Sequence, residues 1–358
     1  MDIVSLLKTL SETPGISGYE DQVRQVIGEV FARYADEVRT DALGNVIALK
    51  RGTGKAEPRR SIMLAGHTDE IGLIITRIEQ GFLHFTEVGG FDPRVLLGQE
   101  VVVHGRRDLP GIIGSRPPHV LPPAEREKTI PLDKLFIDVG LPADEVEELV
   151  HVGDLATVRR ELTQLKGDFI ASKAFDDRAA VAAMAVCLEQ LAGMQHAWDV
   201  YAVGTSQEEV GLRGAITSAF GLAPDLAIAI DVTFGNQPGL SAAETVEMNK
   251  GPAIVYGPNI HPALHDTLVE TAKALELPYQ VEPAPGRTGT DAWAIQVTRS
   301  GIPTALIGIP LRYMHTSVEM VSVKDVERVG RLLAAFIARL DAGFMDRLTW
   351  KPAISGEK

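Results

Sequence analysis

A chain of 358 residues is longer than one hydrophobic core usually spans, so two domains are the first expectation. With 45% hydrophobic and 23% charged residues it has the composition of a folded globular protein, and no apolar run reaches the roughly 18 residues a membrane helix needs. A net charge of −13 disfavours nucleic-acid phosphates and anionic membranes as partners, and a single cysteine, Cys187, excludes an intramolecular disulfide.

The N-terminal stretch MDIVSLLKTLSE has an early acid, no basic region and no small-residue cleavage site. It reads as a helix start rather than a signal peptide, and a cytoplasmic protein is expected. In residues 20–36, Val23, Val26, Ile27, Val30, Phe31 and Tyr34 recur at helical spacing and predict an amphipathic helix. VRTDALGNVIALKRG predicts two strands about a turn at Leu43-Gly44-Asn45, and SIMLA, from Ser61, predicts a short buried strand running into Gly66-His67.

From about Ile71 the texture becomes one of short strands between turns, with a single helix expected over Ala143 to Val150. Such spacing points to a small β-barrel or sandwich. The proline-rich SRPPHVLPPAEREK within it reads as a loop. After about Lys166, strands alternate with helices. Helices are expected over Asp177–Leu191, near Leu212–Phe220, over HPALHDTLVETAKAL and over Val323–Leu340, with strands at WDVYAVGTS, DLAIAID, YQVEP and IPTALIGIP. Cys187 falls inside the first of these helices, in AAVAAMAVCLEQL, and reads as a small core residue. Alternation of this kind means an α/β domain with a largely parallel sheet. The expected architecture is therefore one α/β domain made from residues 1–72 and 166–358, with a β-rich domain of residues 73–165 inserted into it.

Open α/β sheets carry ligand-binding residues just beyond the carboxyl ends of their strands. Here SIMLAGH ends at His67, with Asp69 two residues on; KAFDDR presents Asp176 and Asp177 before a helix; VYAVGTSQEE ends at Glu208-Glu209; DLAIAID ends at Asp231; and His315 follows TALIGIP. A lone histidine of this kind is more often hydrogen-bonded than metal-bound, and an acidic pair is more often a helix cap. Five apolar strands ending in His, Asp or Glu without Lys or Arg at the same ends would repel one another unless a cation joined them. Two histidines and three carboxylates suit two Zn²⁺-like ions. Neighbouring side chains of an extended segment diverge, so of Glu208 and Glu209 one can bind metal while the other faces substrate as a general base. The same divergence argues against a glycosidase pair, whose carboxylates converge about 5 to 9.5 Å apart. Asp69 is spaced to share a face with His67 and orient its ring.

GHTDEIG, KAFDDR, GTSQEEVGLRGA, AIDVTFG, GRTGTDA and RYMHTSVE, together with PGISGYE and GSRPPHVL, resemble the successive motifs of the dinuclear metallo-aminopeptidases, a family that includes glutamyl and deblocking aminopeptidases and tetrahedral dodecameric ones. The resemblance covers essentially the whole chain. It implies a zinc-peptidase-like α/β/α catalytic domain and an inserted dimerisation domain. It further implies that His67 and Asp231 hold one Zn²⁺ or Co²⁺, that Glu209 and His315 hold a second, and that Asp176 bridges the two, with Asp177 the lesser candidate. Glu208 would be the general base toward a two-metal-bridged water, with Asp69 assisting catalysis through His67. Peptides would be the substrates, shortened from the N-terminus, and the assembly would be a dimer-based dodecamer. Thr290 and Asp291 resemble residues lining the family's site, although a glycine turn capping a helix explains them equally well. His119 is expected in a structural or interface role, and His196, His261 and His265 are expected to be solvated. RGTGK lacks phosphate-loop spacing.

Overall fold

The computed structural model describes residues 1–55 and 59–348. In chain order, helices α1 (Ile3–Glu12) and α2 (Asp21–Phe31) precede strands β1 (Glu37–Thr40), β2 (Val46–Lys50) and β3 (Ser61–His67). Then come β4 (Gly72–Glu79), β5 (Phe82–Val88), β6 (Glu100–His104), β7 (Asp108–Gly114), β8 (Phe136–Asp138), α3 (Ala143–Leu149) and β9 (Leu155–Val158). The remainder runs β10 (Thr163–Gln164), β11 (Phe169–Ser172), α4 (Phe175–Ala192), β12 (Asp199–Thr205), α5 (Arg213–Leu222), β13 (Leu226–Phe234), β14 (Ala253–Tyr256), α6 (Pro262–Ala274), β15 (Gln280–Pro283), α7 (Asp291–Gln296), β16 (Thr304–Arg312), β17 (Glu319–Ser322) and α8 (Val323–Ala338).

The main sheet has the order β1-β2-β12-β3-β13-β16-β17-β11-β10, and β14 joins it through β16 with β15 beyond. Its centre, β12-β3-β13-β16, is parallel, and antiparallel strands extend both edges. Period-2 alternation sorts each central strand between two helical layers. Ile62 and Leu64 of β3 join the core shared with α1, α2, α4 and α8, while Met63 and Ala65 join the core under α5 and α7. This is the α/β domain with a largely parallel centre expected from the alternation, in the α/β/α layering that the resemblance implies. Helix α4 has no polar stripe because it is enclosed: Ala179 through Ala185 and Cys187 are all buried. Its alanines let neighbouring elements approach closely, and Cys187 is a packed core residue.

The segment between β3 and β10 closes into a six-stranded barrel, β4-β5-β8-β7-β6-β9. Closure pairs every edge. Strand β7 shows how it fills: Leu109 and Ile113 point inward to meet Leu83, Val101 and Ile137, while Ile112 stays exposed. Strand β10 pairs with β11 in the main sheet rather than in the barrel. No helix among the described residues is long and apolar enough to cross a membrane.

Candidate metal centre

Because β12, β3, β13 and β16 are parallel, their carboxyl ends open on one rim. Thr205 stands beside His67 in the β12–β3 register, and Asp231 stands beside Gly308 in the β13–β16 register. The turn into α4 brings Asp176 to the same rim through a cis Asp176-Asp177 peptide. His315 arrives from the loop after β16. A cavity of about 650 Å³ is lined by His67, Asp176, Glu208, Glu209, Asp231 and His315.

Asp176 lies between the two histidines. Its Oδ1 is 3.0 Å from His67 Nε2 and its Oδ2 is 3.4 Å from His315 Nε2, which also lies 3.3 Å from Glu209 Oε1. Ligand atoms of His67, Asp176 and Glu209 fall within 4.8 Å of one another, as do those of His67, Asp177 and Asp231. Asp177 is fully buried behind the cavity, where its Oδ2 accepts the His67 backbone N–H at 3.1 Å and its Oδ1 has no hydrogen-bond partner.

These groups suit divalent cations. Burial pushes Asp177 and Asp231 well above the usual carboxylate range, raises Glu209, and pushes Glu208 up to about 10. The histidines supply the counter-charge. Hydrogen bonds to Asp176 and Glu209 push His315 up to about 11, and burial of His67 is outweighed by Asp176 and Asp69, which hold its imidazolium well above its ordinary value. The same two imidazoliums hold Asp176 well below the carboxylate range despite its burial. A buried acid cluster that must protonate or borrow histidine charge is one whose deficit a metal ion would fill. Oxygen and imidazole donors of this kind suit Zn²⁺ and its neighbours in the first transition row.

The surrounding residues fix the donors. His67 Nδ1 lies 3.1 Å from the Asp69 carbonyl oxygen and 3.3 Å from its Oδ1, so the ring is oriented by backbone as well as side chain. The Asp69 carboxylate accepts the N–H groups of Glu208 and Glu209 at 3.0 and 3.2 Å, and the Ser17 hydroxyl at 2.5 Å. Asp69 therefore braces the glutamate loop in addition to sitting behind His67. That loop has left the strand: β12 ends at Thr205, and Gln207 takes a left-handed conformation. The alternation expected of Glu208 and Glu209 consequently does not hold, and both line the cavity. They still differ, because Glu209 meets His315 while Glu208 Oε1 has no hydrogen-bond partner.

Several participants were not singled out by the sequence, although Glu319 and Glu20 close the motifs RYMHTSVE and PGISGYE. Glu319, buried at the start of β17, accepts the backbone N–H of Asp176 on one oxygen and that of His315 on the other, each at 3.0 Å. Glu20 accepts the N–H of Gln207 at 3.0 Å and that of Gly18 at 2.9 Å. The available signal was the position of each acid at the end of a quoted motif, which does not say what the acid does. Gly90, in the loop that leaves the barrel strand β5, accepts from His315 Nδ1 at 3.0 Å, a contact between segments 225 residues apart.

Thr290 lines the cavity and exchanges a hydrogen bond with Thr288 at 2.8 Å, whereas the Asp291 carboxylate turns inward to accept the Thr205 hydroxyl at 2.5 Å. His119 lies in an exposed turn outside the cavity lining. The expectation of solvated His196 and His265 is corrected: both are buried, their Nδ1 atoms facing the carbonyls of Trp198 and Val255 at 2.8 and 3.0 Å. At helix margins those carbonyls give the ring a buried partner that no periodicity reveals. His261 is partly buried and faces the Leu348 carbonyl.

The family description M42 glutamyl aminopeptidase matches residues 44–332. The lysyl aminopeptidase of Pyrococcus furiosus is 37% identical over 94% of this chain and 96% of its own. Among solved structures, a TET aminopeptidase from Thaumarchaeota archaeon SCGC AB-539-E09 superposes with a TM-score of 0.91 at 38% identity, covering 97% of this chain and 99% of its own. A TET peptidase of Pyrococcus horikoshii that assembles into a tetrahedron or a large octahedral shell superposes with a TM-score of 0.83 at 33% identity, covering 95% and 100%. The chain belongs to the M42 glutamyl aminopeptidase family, hydrolases acting on peptide bonds, and its fold carries a His/Asp/Glu cluster able to hold metal.

Proposed function

We propose that the protein removes N-terminal residues from peptides with two divalent ions per subunit, Zn²⁺ or Co²⁺. His67 and Asp231 would hold one, Glu209 and His315 the other, and Asp176 both. The observation that carries this reading is the placement of the Asp176 carboxylate, one oxygen toward each histidine, with Glu209 beside His315. Asp177 serves better behind the site, since its Oδ2 already accepts the His67 N–H.

When bound, such ions polarise a substrate carbonyl and make water acidic enough to attack it near neutral pH. Glu208 is the group placed to move the proton. Its Oε1 is shielded and unpartnered beside the cluster; burial alone raises its pKa, and bound cations would favour the carboxylate form that a base requires. It takes a proton from the attacking water and returns it to the leaving amine. Asp69 keeps the Glu208 backbone in place and orients His67, so its part in catalysis is positional. Thr290 forms part of the cavity wall that substrate would meet.

We further propose that residues 73–165 form a dimerisation unit, that dimers build a dodecamer as in the tetrahedral relatives, and that the protein works in the cytoplasm. Exposed Phe82, Leu97, Ile112 and Val152 on the barrel segment support an interface there. Metal analysis combined with a panel of aminoacyl arylamides tests the central reading. Release of arylamine by the loaded protein and its loss on chelation are expected; full activity in protein shown to be metal-free sinks it.

A further inference from the structure

The cavity extends past the metal cluster, and its far wall carries a charge that the mechanism above leaves unused. Glu282 belongs to β15 and lines the same cavity. Its Oε1 accepts the Thr233 hydroxyl at 2.7 Å, and its Oε2 is shielded from solvent with no hydrogen-bond partner. No Lys, Arg or His among the described residues pairs with it. The arginine of the cavity lining, Arg287, lies over the Trp293 ring instead, 4.7 Å from its centroid.

The position of this carboxylate is set by the sheet. Thr233 follows Asp231 by two residues on β13, so their side chains share a face about 6.6 Å apart. Glu282 stands beside Val255 in the β14–β15 register. A Cβ at residue 308 would stand 2.7 Å from Thr233 Cγ2 and 3.3 Å from Glu282 Oε2, so Gly308 keeps the space before the carboxylate open. Val255, Leu306 and Met314 supply apolar wall to the same cavity. An apolar-walled passage that ends on an unpaired carboxylate matches a methylene stem with a cationic tip.

We propose that this pocket receives the side chain of the substrate's N-terminal residue and selects lysine or arginine, with Glu282 as the ion-pair partner and Thr233 aiming its carboxylate. This rests on the aminopeptidase reading and adds its substrate class. Loss of one charge-assisted hydrogen bond in a shielded site lowers binding by at least about tenfold.

The test uses the full-length, metal-loaded protein and arylamides of Lys, Arg, Leu and Glu with one leaving group. The expected kcat/KM is at least about tenfold higher for Lys and Arg than for Leu, with Glu poorest. Glu282→Gln should shrink the Lys-to-Leu ratio at least about tenfold, mainly through KM, and Thr233→Val should shrink it in the same direction by less. Calorimetry with free lysine and free leucine should give the same preference, and its loss in Glu282→Gln, without turnover. An unchanged ratio overturns the proposal. So does an equal fall for Lys and Leu, which would make Glu282 an anchor for the α-amine. Should no arylamide be cleaved while lysine binding still depends on Glu282, the aminopeptidase reading fails and the pocket assignment stands. Cleavage of the Leu substrate without preference for lysine leaves the activity and removes the assignment. Thr233→Val decides the matter if Glu282→Gln does not fold.

Discussion

Glu319→Gln probes how the site is held without touching its donor atoms. The Glu319 carboxylate accepts two backbone N–H groups, from Asp176 and His315, on separate oxygens. The amide has nearly the same volume but offers one acceptor and one donor, so one N–H would face an NH₂ group. A hydrogen bond to a charged acceptor contributes about 1.5–3 kcal/mol, and an unsatisfied buried donor costs about as much. Against this, burial and the nearby Asp176 push Glu319 well above the usual carboxylate range, so its charge is itself costly and the amide relieves part of that cost. The expected net loss is about 1–3 kcal/mol in the metal-free protein. The effect on metal should be larger in relative terms, because both loosened residues would hold the same ion: outer partners of this kind contribute about 10- to 100-fold in affinity. Denaturant unfolding of metal-free protein and titration with Zn²⁺ followed by calorimetry measure the two quantities separately. Unchanged metal affinity together with an unfolding midpoint equal to wild type would show that Glu319 does not position Asp176 and His315, and the account of the site given above would be wrong.

Glu208→Gln should keep its bound metal and lose at least about 10² in kcat, the low end for a general base, whereas Glu209→Gln should lose metal stoichiometry; metal loss in the Glu208 variant would reverse the pair. Peptides with a free N-terminus should shorten one residue at a time from that end, and C-terminal release seen first by mass spectrometry would refute the assignment. The metal-free folded chain holds extra protons on Asp177, Asp231, Glu209 and His315, all raised relative to the unfolded state. More protons bound folded than unfolded means that stability falls as pH rises, so the metal-free Tm should drop from about pH 5 to about pH 9 and metal binding should release protons; a metal-free Tm that climbs across this window contradicts the placement of the acids. Light scattering at micromolar concentration should find a large assembly, and a particle of one chain's mass would exclude both the dodecamer and the dimer.

Much of this was legible because strand ends announce themselves. An apolar run such as SIMLA that stops at His67, or DLAIAID that stops at Asp231, fixes both the element and the end at which chemistry sits. The barrel was legible from its turn spacing. The sides on which Glu208 and Glu209 face were not, because the strand stops at Thr205: the left-handed Gln207 breaks the alternation, and no local signal marks it. The roles of Glu319 and Glu20, which close two of the quoted motifs, and of Gly90 stayed hidden for a different reason. Each acts on a residue far away in sequence, and a buried acid that accepts backbone N–H groups looks in one dimension like any surface acid. The pocket carboxylate was hidden in the same way, since YQVEP reads only as a strand and the contact with Thr233 shows that Glu282 faces the cavity.

The three buried braces share one design. Asp69 and Glu319 each accept two backbone N–H groups from loops that carry or flank the proposed donors, and Glu20 accepts one such group, from Gln207, together with that of its neighbour Gly18. Backbone N–H groups leaving a strand need partners once buried, and a carboxylate satisfies two of them rigidly where a hydroxyl or amide satisfies one. The choice adds negative charge to a rim already rich in it: burial and Asp69 push Glu20 up to about 7, and Glu319 rises through burial and Asp176. A fold selected only for stability would replace such acids with neutral groups of similar shape. Their presence makes sense if the rim is completed by cations, because each added charge then deepens the attraction for the ions while fixing the loops that hold them. Metal binding and loop order should therefore be lost together, and the loops at 206–212 and 313–318 should be the first to gain hydrogen exchange when metal is removed. Equal exchange there with and without metal would separate the two functions and leave the braces as purely structural acids.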